Sequence, residues 1–338
     1  MDAGLLLEDA VERALRRRPG VVAGVLEGGE RTLRAGGDLV EDSVVEIGSV
    51  SKVFTATLLA EAVVRGEVRL DTPVRELLPP GTVVPGRDGR QITLADLATH
   101  RSGLPRSPAG VGVVAGSVQM LRGRNPYAGF GADDLLAGLA GTRLRRRPGS
   151  GRPRYSNAGF GLLGVALARA AGTSYDQLVA DRICAPLGLV DTVTPASAAA
   201  GHRARWARGH RGSGRAVEDW VLDGIAGAGG LRSTVPDLLA FLAVQLDPGG
   251  SPLEAAIRLT RAEPRTGGGS VPLGWQRIDR TPVTWWHNGG TGGFRSFVAF
   301  VPERDRAVAV VTDSSRGVDV TGLRLLRDLD RRGAGHGR

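Results

Sequence analysis

The chain has 338 residues, of which 41% are hydrophobic and 23% are charged, and its net charge is +9. This length can bury a large core, and the composition is that of an ordinary globular protein. No apolar run approaches the roughly 18 residues that a membrane span needs, so no membrane association is expected. The single cysteine, Cys184, excludes an internal disulfide and a cysteine-based metal cluster. We expect it to be a small buried residue, and we expect no metal or cofactor.

The positive charge comes almost entirely from arginine, because Lys52 is the one lysine among 44 basic residues. Nucleic-acid binding would require aromatic residues among the basic ones or a known binding motif. Only 4% of the residues are aromatic, and no such motif is found. We therefore interpret the arginines as solvated faces and expect no nucleic-acid partner, while a weak preference for anionic substrates stays open.

The N-terminal segment mixes apolar and acidic residues and ends in three arginines, at residues 16–18. A secretory signal would place the basic residues first and an apolar block after them. The pattern instead predicts an amphipathic helix and a cytoplasmic protein. The residues expected on its apolar face are Leu6, Ala10, Val11 and Ala14.

Next along the chain, residues 21–26 and 32–35 are strand-like and flank Gly28 and Gly29, which predicts a hairpin. A helix is predicted from Ser49 to about Arg65, with Gly66 as its stop. Hydroxyl and carboxylate pairs three residues apart predict further helix starts. These starts are at Thr93, Thr234 and Ser251.

The rest of the chain divides by its patterns. Residues 76–224 are mostly helical, whereas residues 283–287, 294–301 and 307–312 are strand-like and a helix is predicted over 320–329. These patterns predict an α/β domain of α+β type, built from residues 1–75 and 225–338. A mostly helical domain, 76–224, is inserted in it, and the active site is expected between the two.

The first candidate site is the run from Ser49 to Lys52. Residues three apart on a helix share a face, so the Ser49 hydroxyl and the Lys52 amine can meet. A serine is a weak nucleophile until a base takes its proton, and a buried lysine can act as that base whereas arginine cannot. A chain rich in arginine thus keeps its one lysine where a deprotonatable amine is required.

Two further motifs carry polar groups suited to acyl chemistry. Tyr155 and Asn157 follow a glycine-rich loop; a phenol can relay a proton and an amide can hold a carbonyl. His287 and Asn288 end a strand-like run, just before Gly289 and Gly290. These glycines let a substrate lie close to the strand, and a free amide there can complete an oxyanion hole.

With these motifs, the chain resembles the family of class C β-lactamases, D-alanyl-D-alanine carboxypeptidases and β-lactamase-fold esterases. The resemblance covers roughly residues 21–314 and implies a β-lactamase/transpeptidase-like fold, an antiparallel sheet flanked by helices. It is carried, in order, by residues 46–52, 92–97, 99–105, 155–157, 185–189, 227–234 and 287–289.

The resemblance also implies roles. Ser49 would become acylated, Lys52 and Tyr155 would share the work of the general base, and Asn157 would orient the substrate. The amides of Ser49 and Gly290 would form the oxyanion hole. The chain departs from the family's β-lactamases at His287, where they have the lysine of a Lys-Thr-Gly triplet. This departure weakens the case for β-lactam hydrolysis, because histidine is mostly neutral near pH 7.

Three functions remain open because a fold does not fix a substrate. The first is hydrolysis of a small ester or amide through an acyl-serine. The second is transfer of the same acyl group to an amine or alcohol, as in biosynthetic transacylases, with the loop over residues 106–131 controlling water. The third is a binding module that keeps an inactive site.

Overall fold

The computed structural model of the chain describes residues 2–111, 113–262, 265–266 and 269–335. The helices are α1 Ala3–Leu15, α2 Ser51–Val64, α3 Leu94–Ala98, α4 Val113–Leu121, α5 Ala132–Ala140, α6 Asn157–Ala170, α7 Tyr175–Val179, α8 Ala185–Leu187, α9 Ala200–Ala204, α10 Ala226–Gly229, α11 Val235–Leu246, α12 Glu254–Arg261 and α13 Asp319–Gly335. The strands are β1 Gly20–Glu27, β2 Glu30–Gly37, β3 Val45–Glu46, β4 Arg232–Ser233, β5 Arg265–Thr266, β6 Gly269–Ser270, β7 Gln276–Ile278, β8 Thr284–Gly290, β9 Arg295–Val301 and β10 Arg306–Thr312.

A six-stranded antiparallel sheet joins the two ends of the chain, in the order β2-β1-β10-β9-β8-β7. The predicted hairpin of β1 and β2 is confirmed, and its turn residues Gly28 and Gly29 have φ angles of 58° and 82°. Such left-handed angles favour glycine, since it has no Cβ to clash. Ala23 of β1 lies opposite Val310 of β10, so the N-terminal hairpin is completed by the last strand.

Helices cover both faces of this sheet, and the central strand β10 is consequently buried along its whole length. Helices α1 and α13 pack on one face, where Leu7 and Leu329 meet Val310. Helix α11 covers the other face, where Leu239 joins the core that contains Ala309. Two covered faces explain why β10 is a continuous apolar run without the polar alternation of a half-exposed strand.

Between residues 76 and 224 the named helices are α3 to α9, and one hydrophobic core runs from them into the layer below the sheet. Helix α6 packs closely against α10, because a Cβ on Gly164 would lie 3.1 Å from the Cα of Gly227. This close approach sets the start of α6 beside α2 and α10. The candidate site residues lie where these three helices meet β8.

Local details separate correct from incorrect predictions. Thr93 and Thr234 cap α3 and α11 as predicted. Helix α12 begins at Glu254, however, so the predicted start at Ser251 is wrong; the Ser251 hydroxyl instead accepts a hydrogen bond from the Leu253 amide in the preceding turn. On α1 the side chain fully buried against the sheet is Leu7, next to the predicted Leu6. Across the described ranges, no helix is both long and apolar enough to cross a membrane.

Candidate active site

Ser49 lies in a single 3-10 turn, Gly48–Val50, that leads directly into α2. A hydrogen bond holds the turn against the sheet: the Ser296 hydroxyl on β9 donates to the carbonyl of Ile47 at 2.7 Å. A Cβ on Gly289 of β8 would stand 1.9 Å from the same carbonyl oxygen, so only glycine fits there. Strand β8 can therefore contact the Gly48–Val50 turn, which we call the serine turn, because this residue is glycine.

Lys52 is fully buried, and its ammonium nitrogen has three polar neighbours. Nζ lies 3.1 Å from Ser49 Oγ, 2.9 Å from Asn157 Oδ1 and 2.5 Å from the carbonyl oxygen of Ala228. The predicted meeting of the serine and the lysine on one helical face is thus found. The two carbonyl oxygens come from α6 and α10, the two helices that the glycine contact holds together.

Burial also shifts the acid–base equilibrium of Lys52. Burial holds the pKa of Lys52 well below its ordinary value, and the positive charge of Arg106 lowers it further. A neutral amine has two N–H bonds and one lone pair. Its two hydrogens can serve the acceptors on Asn157 and Ala228, which cannot donate in return. The lone pair is then left for the hydroxyl of Ser49, the geometry of a base beside its nucleophile.

Tyr155 lies beside both residues: its hydroxyl is hydrogen-bonded to Ser49, and its ring centroid is 4.7 Å from Lys52 Nζ. Its ring centroid is 4.6 Å from that of His100, whose Nδ1 accepts from the Ser156 amide at 3.2 Å. Burial raises the pKa of Tyr155 to about 12, although the bond to Ser49 and the charge of Arg106 act in the opposite direction. The phenol therefore keeps its proton near neutrality. His100 packs against the tyrosine ring and helps to position it.

Asn157 is the first residue of α6, and the cap at Ser156 fixes its position, because the Ser156 hydroxyl accepts from the Gly159 amide. The side chain of Asn157 bridges two groups. Its Oδ1 accepts from Lys52, and it is also hydrogen-bonded to the hydroxyl of Tyr127. Tyr127 thereby joins the site.

His287 lies on β8, is 1% exposed and is neutral. Its Nδ1 lies 2.7 Å from the carbonyl oxygen of Asn288, so this nitrogen carries the proton and donates. Burial lowers the pKa of His287 to about 3; Lys52, in its protonated form, adds to the shift, while the hydrogen bond to Asn288 opposes it. The position that carries a lysine in the resembling β-lactamases therefore holds a neutral imidazole.

Asn288 and Gly290, the other residues discussed at the end of β8, differ in their position relative to Ser49. The amide of Asn288 donates to Asp319 at 2.5 Å, at the start of α13, so the structure does not bring this side chain to Ser49. Successive side chains of a strand point to opposite faces, which explains the separation from His287. The backbone nitrogen of Gly290 lies 2.6 Å from where a Cβ on Gly48 would be, which sets that amide beside the serine turn.

Comparison with known proteins agrees with this fold and this arrangement of residues. A sequence model described as β-lactamase matches residues 7–331 of the chain. The chain belongs to the β-lactamase family.

Relatives of this β-lactamase-family chain include a D-alanyl-D-alanine-carboxypeptidase/endopeptidase, AmpH, of Escherichia coli K12, which is 30% identical over 88% of the chain and 80% of the relative. A β-lactamase of the same organism is 28% identical over 82% of the chain and 77% of its own length. A solved β-lactamase/D-alanine carboxypeptidase of Yersinia pestis, complexed with citrate, superposes with a TM-score of 0.78 at 26% identity, covering 93% of each chain. The fold expected from the sequence is thus confirmed.

Three groups of this β-lactamase-family site are absent from the sequence interpretation: Tyr127, Arg106 and the carbonyl of Ala228. The chain has only three tyrosines, which was an available signal for Tyr127. Ala228 lies in one of the motifs that carry the resemblance. Its contribution is a backbone carbonyl, which every residue has, so the residue type cannot indicate it. Arg106 is one of many arginines, and only the folded chain shows that its guanidinium carbon lies 5.2 Å from the Tyr155 ring.

A buried ion pair supports the strand that leads into the serine turn. Glu46 accepts from Arg232 at 2.9 Å and from the Trp220 amide at 2.7 Å, and both charged side chains are almost fully buried. Burial raises the pKa of Glu46 to about 7 although Arg232 opposes the shift. The two residues face each other across the pair of β3 and β4.

Because removing one partner leaves a buried carboxylate without its cation, Arg232→Met should lower the free energy of unfolding by about 3–5 kcal/mol. Urea unfolding at pH 8, where Glu46 is mostly ionised, measures the loss. The matched control is Arg258→Met, which removes an exposed pair with Glu254 and should cost under about 1 kcal/mol. Equal losses in the two variants would contradict a structural role for the buried pair.

Proposed function

We propose that this chain is a serine hydrolase that cleaves a small ester or amide through an acyl-serine intermediate. The observation that supports the proposal is the environment of Lys52, whose side-chain nitrogen lies within hydrogen-bond distance of Ser49 Oγ and of two carbonyl oxygens that can only accept. Burying a lysine so that its amine stays unprotonated lowers the stability of the fold. Such burial is therefore expected where the amine takes part in catalysis.

In the proposed reaction, Lys52 takes the proton of Ser49 as Oγ bonds to the substrate carbonyl carbon. The amides of Ser49 and Gly290 stabilise the oxyanion. The same proton then passes through Lys52 or the Tyr155 hydroxyl to the leaving atom as its bond to carbon breaks. Water, activated by the same base, releases the acid and restores the serine.

The substrate class is narrowed by the relatives and by His287. The names of the relatives describe a carboxypeptidase/endopeptidase and β-lactamases, which supports cleavage of acyl bonds in general. The neutral His287 offers no cation to a substrate carboxylate beside β8. We therefore propose esterase or peptidase activity ahead of efficient β-lactam hydrolysis.

Hydrolysis is favoured over acyl transfer because Ser49 is only half-buried, so water can reach an acyl group attached to it. A transacylase would need to exclude that water. A purely binding role fits less well, because the contact of Ser49 with Lys52 and the position of the Gly290 amide beside the Gly48–Val50 turn support an acyl-serine reaction. Product analysis with and without an added amine or alcohol acceptor separates hydrolysis from transfer.

The proposal predicts a covalent adduct on Ser49. A fluorescent alkyl phosphonate, and any slowly hydrolysed substrate, should add its acyl or phosphonyl mass to the peptide that contains Ser49, as detected by mass spectrometry. A panel of phenyl esters, thioesters, a D-alanyl-D-alanine peptide and a chromogenic cephalosporin then identifies the class that turns over. An adduct on Ser51 or Ser156 would refute the assignment, and labelling without turnover of any compound would favour the binding module.

A further inference from the structure

A cavity of about 640 Å³ opens beside Tyr155, and arginine dominates its wall. It is formed by the loop after α3 and by the segment that joins α5 to α6. We call it the arginine pocket, defined by its charged side chains and by the tyrosine at its inner end: Arg106, Arg143, Arg145, Arg146, Arg154 and Tyr155.

The charge of this pocket is not balanced by the protein itself. No carboxylate lines it, and none of its five arginines takes part in an ion pair within the described part of the chain. All five are exposed, whereas the less exposed Arg205 and Arg306 are paired with Asp191 and Glu27. Five unpaired guanidinium groups around one concavity repel one another and attract anions.

The pocket borders the candidate active site at Tyr155. The guanidinium carbon of Arg106 is 5.2 Å from the Tyr155 ring, and the Arg106 carbonyl accepts from the Asn157 amide at 2.8 Å. A second cavity, of about 350 Å³, also borders Tyr155 and is lined by His287; the arginine found in its described lining, Arg277, is paired with Asp279. Of these two cavities that meet at Tyr155, the arginine pocket is therefore the one with unpaired positive charge.

In the proposed reaction, the leaving group departs on the side of the group that protonates it. The proton taken from Ser49 must reach the leaving atom, and the groups that can carry it are Lys52 and Tyr155. The leaving atom therefore lies near these two residues. The arginine pocket begins directly beyond Tyr155, so it can accept the remainder of the leaving group.

Resting on the hydrolase function proposed above, we propose that the arginine pocket binds an anionic group, carboxylate or phosphate, on the leaving portion of the substrate. The natural substrates are then esters or amides whose released alcohol or amine is acidic. Planar guanidinium groups recognise both kinds of anion through paired hydrogen bonds. An anion held there fixes the scissile carbonyl relative to Ser49.

The test uses acetate esters of phenols with similar leaving-group basicity: para-ethylphenol, para-hydroxyphenylacetate and para-hydroxybenzylphosphonate. Wild type should show a kcat/KM roughly 10- to 100-fold higher for the two anionic esters than for the neutral one, and the ratio should fall as salt is added. The carboxylate and phosphonate arms identify which anion is preferred.

The variant that tests the pocket is the triple change Arg143→Gln, Arg145→Gln and Arg146→Gln, which should abolish the preference and leave hydrolysis of the neutral ester unchanged. The control makes the same change in net charge on exposed arginines of other elements, at Arg31, Arg258 and Arg304, and should keep the preference. An unchanged preference in the pocket variant, or an equal loss in the control, would overturn the proposal.

A binding measurement separates this inference from the hydrolase proposal. Calorimetric titration of Ser49→Ala protein with para-hydroxyphenylacetate and para-hydroxybenzylphosphonate should show binding that weakens at least about tenfold in the triple pocket variant. This result stands even if no ester is cleaved. No difference in affinity between the two proteins would refute the anion site, whatever the activity of the enzyme.

Discussion

Replacing Ser49 with alanine should lower turnover by on the order of 10⁴-fold or more, because the bond-forming atom is lost. Its effect on stability should be small. The Ser49 hydroxyl contacts Lys52 and Tyr155, and loss of such hydrogen bonds costs about 1–2 kcal/mol in all. Steady-state kinetics and thermal melts of the same preparation measure both quantities.

Ser51→Ala is the matched control, since it removes a hydroxyl two residues away. The Ser51 hydroxyl donates to the Gly48 carbonyl at 2.7 Å and accepts from the Leu231 amide at 3.1 Å, so it is structural. This variant should lose about 1–3 kcal/mol of stability and keep its activity per folded molecule. If Ser49→Ala kept full activity while Ser51→Ala lost it, the nucleophile would be misassigned.

The second large effect is expected from Lys52→Arg. Arginine keeps the positive charge but does not release its proton, so acylation should slow by at least ~100-fold, the lower limit of what a positioned base contributes. Because burial lowers the pKa of Lys52, the wild-type amine is neutral over the upper part of the pH range. The wild-type acylation rate should therefore fall as acid protonates Lys52, and this step should be absent from the variant.

Single-turnover acylation, measured across pH, gives both the acylation rate and its fall at acidic pH. Since arginine is larger than lysine in a fully buried position, Lys52→Met provides the control for packing: it fills the site, has no basic nitrogen and should show a similar loss. Near-equal rates for wild type and both variants would remove Lys52 as the base and leave Tyr155 as the sole candidate.

The sequence predicted those parts of the site that depend on local spacing. Ser49 and Lys52 are three residues apart on one helical turn, and their contact follows from helix geometry alone. The hairpin at Gly28 and the three C-terminal strands were likewise visible, because alternation and turn residues are local signals. The burial of Cys184 is confirmed as well.

The parts that escaped prediction are set by tertiary contacts. The carbonyl of Ala228 reaches Lys52 because two helices approach at glycines, and no residue type reports that distance. Tyr127 belongs to the site only because its loop folds over Asn157. For Asn288, strand alternation already implied a direction opposite to His287, and the family motif outweighed that signal in the interpretation. The division into a two-part domain and an inserted domain stays a prediction.

The pairing of β1 with β10 has a consequence for synthesis of the protein. Val21 and Thr312 are paired although about 290 residues separate them in the chain. Since a ribosome delivers roughly 5–20 residues per second, the nascent β1–β2 hairpin waits many seconds for its central neighbour. During that interval β1 presents an apolar, unpaired edge of the kind that recruits other strands. Translation that stops before residue 306 therefore yields an aggregation-prone product, and the native sheet closes only at the end of synthesis.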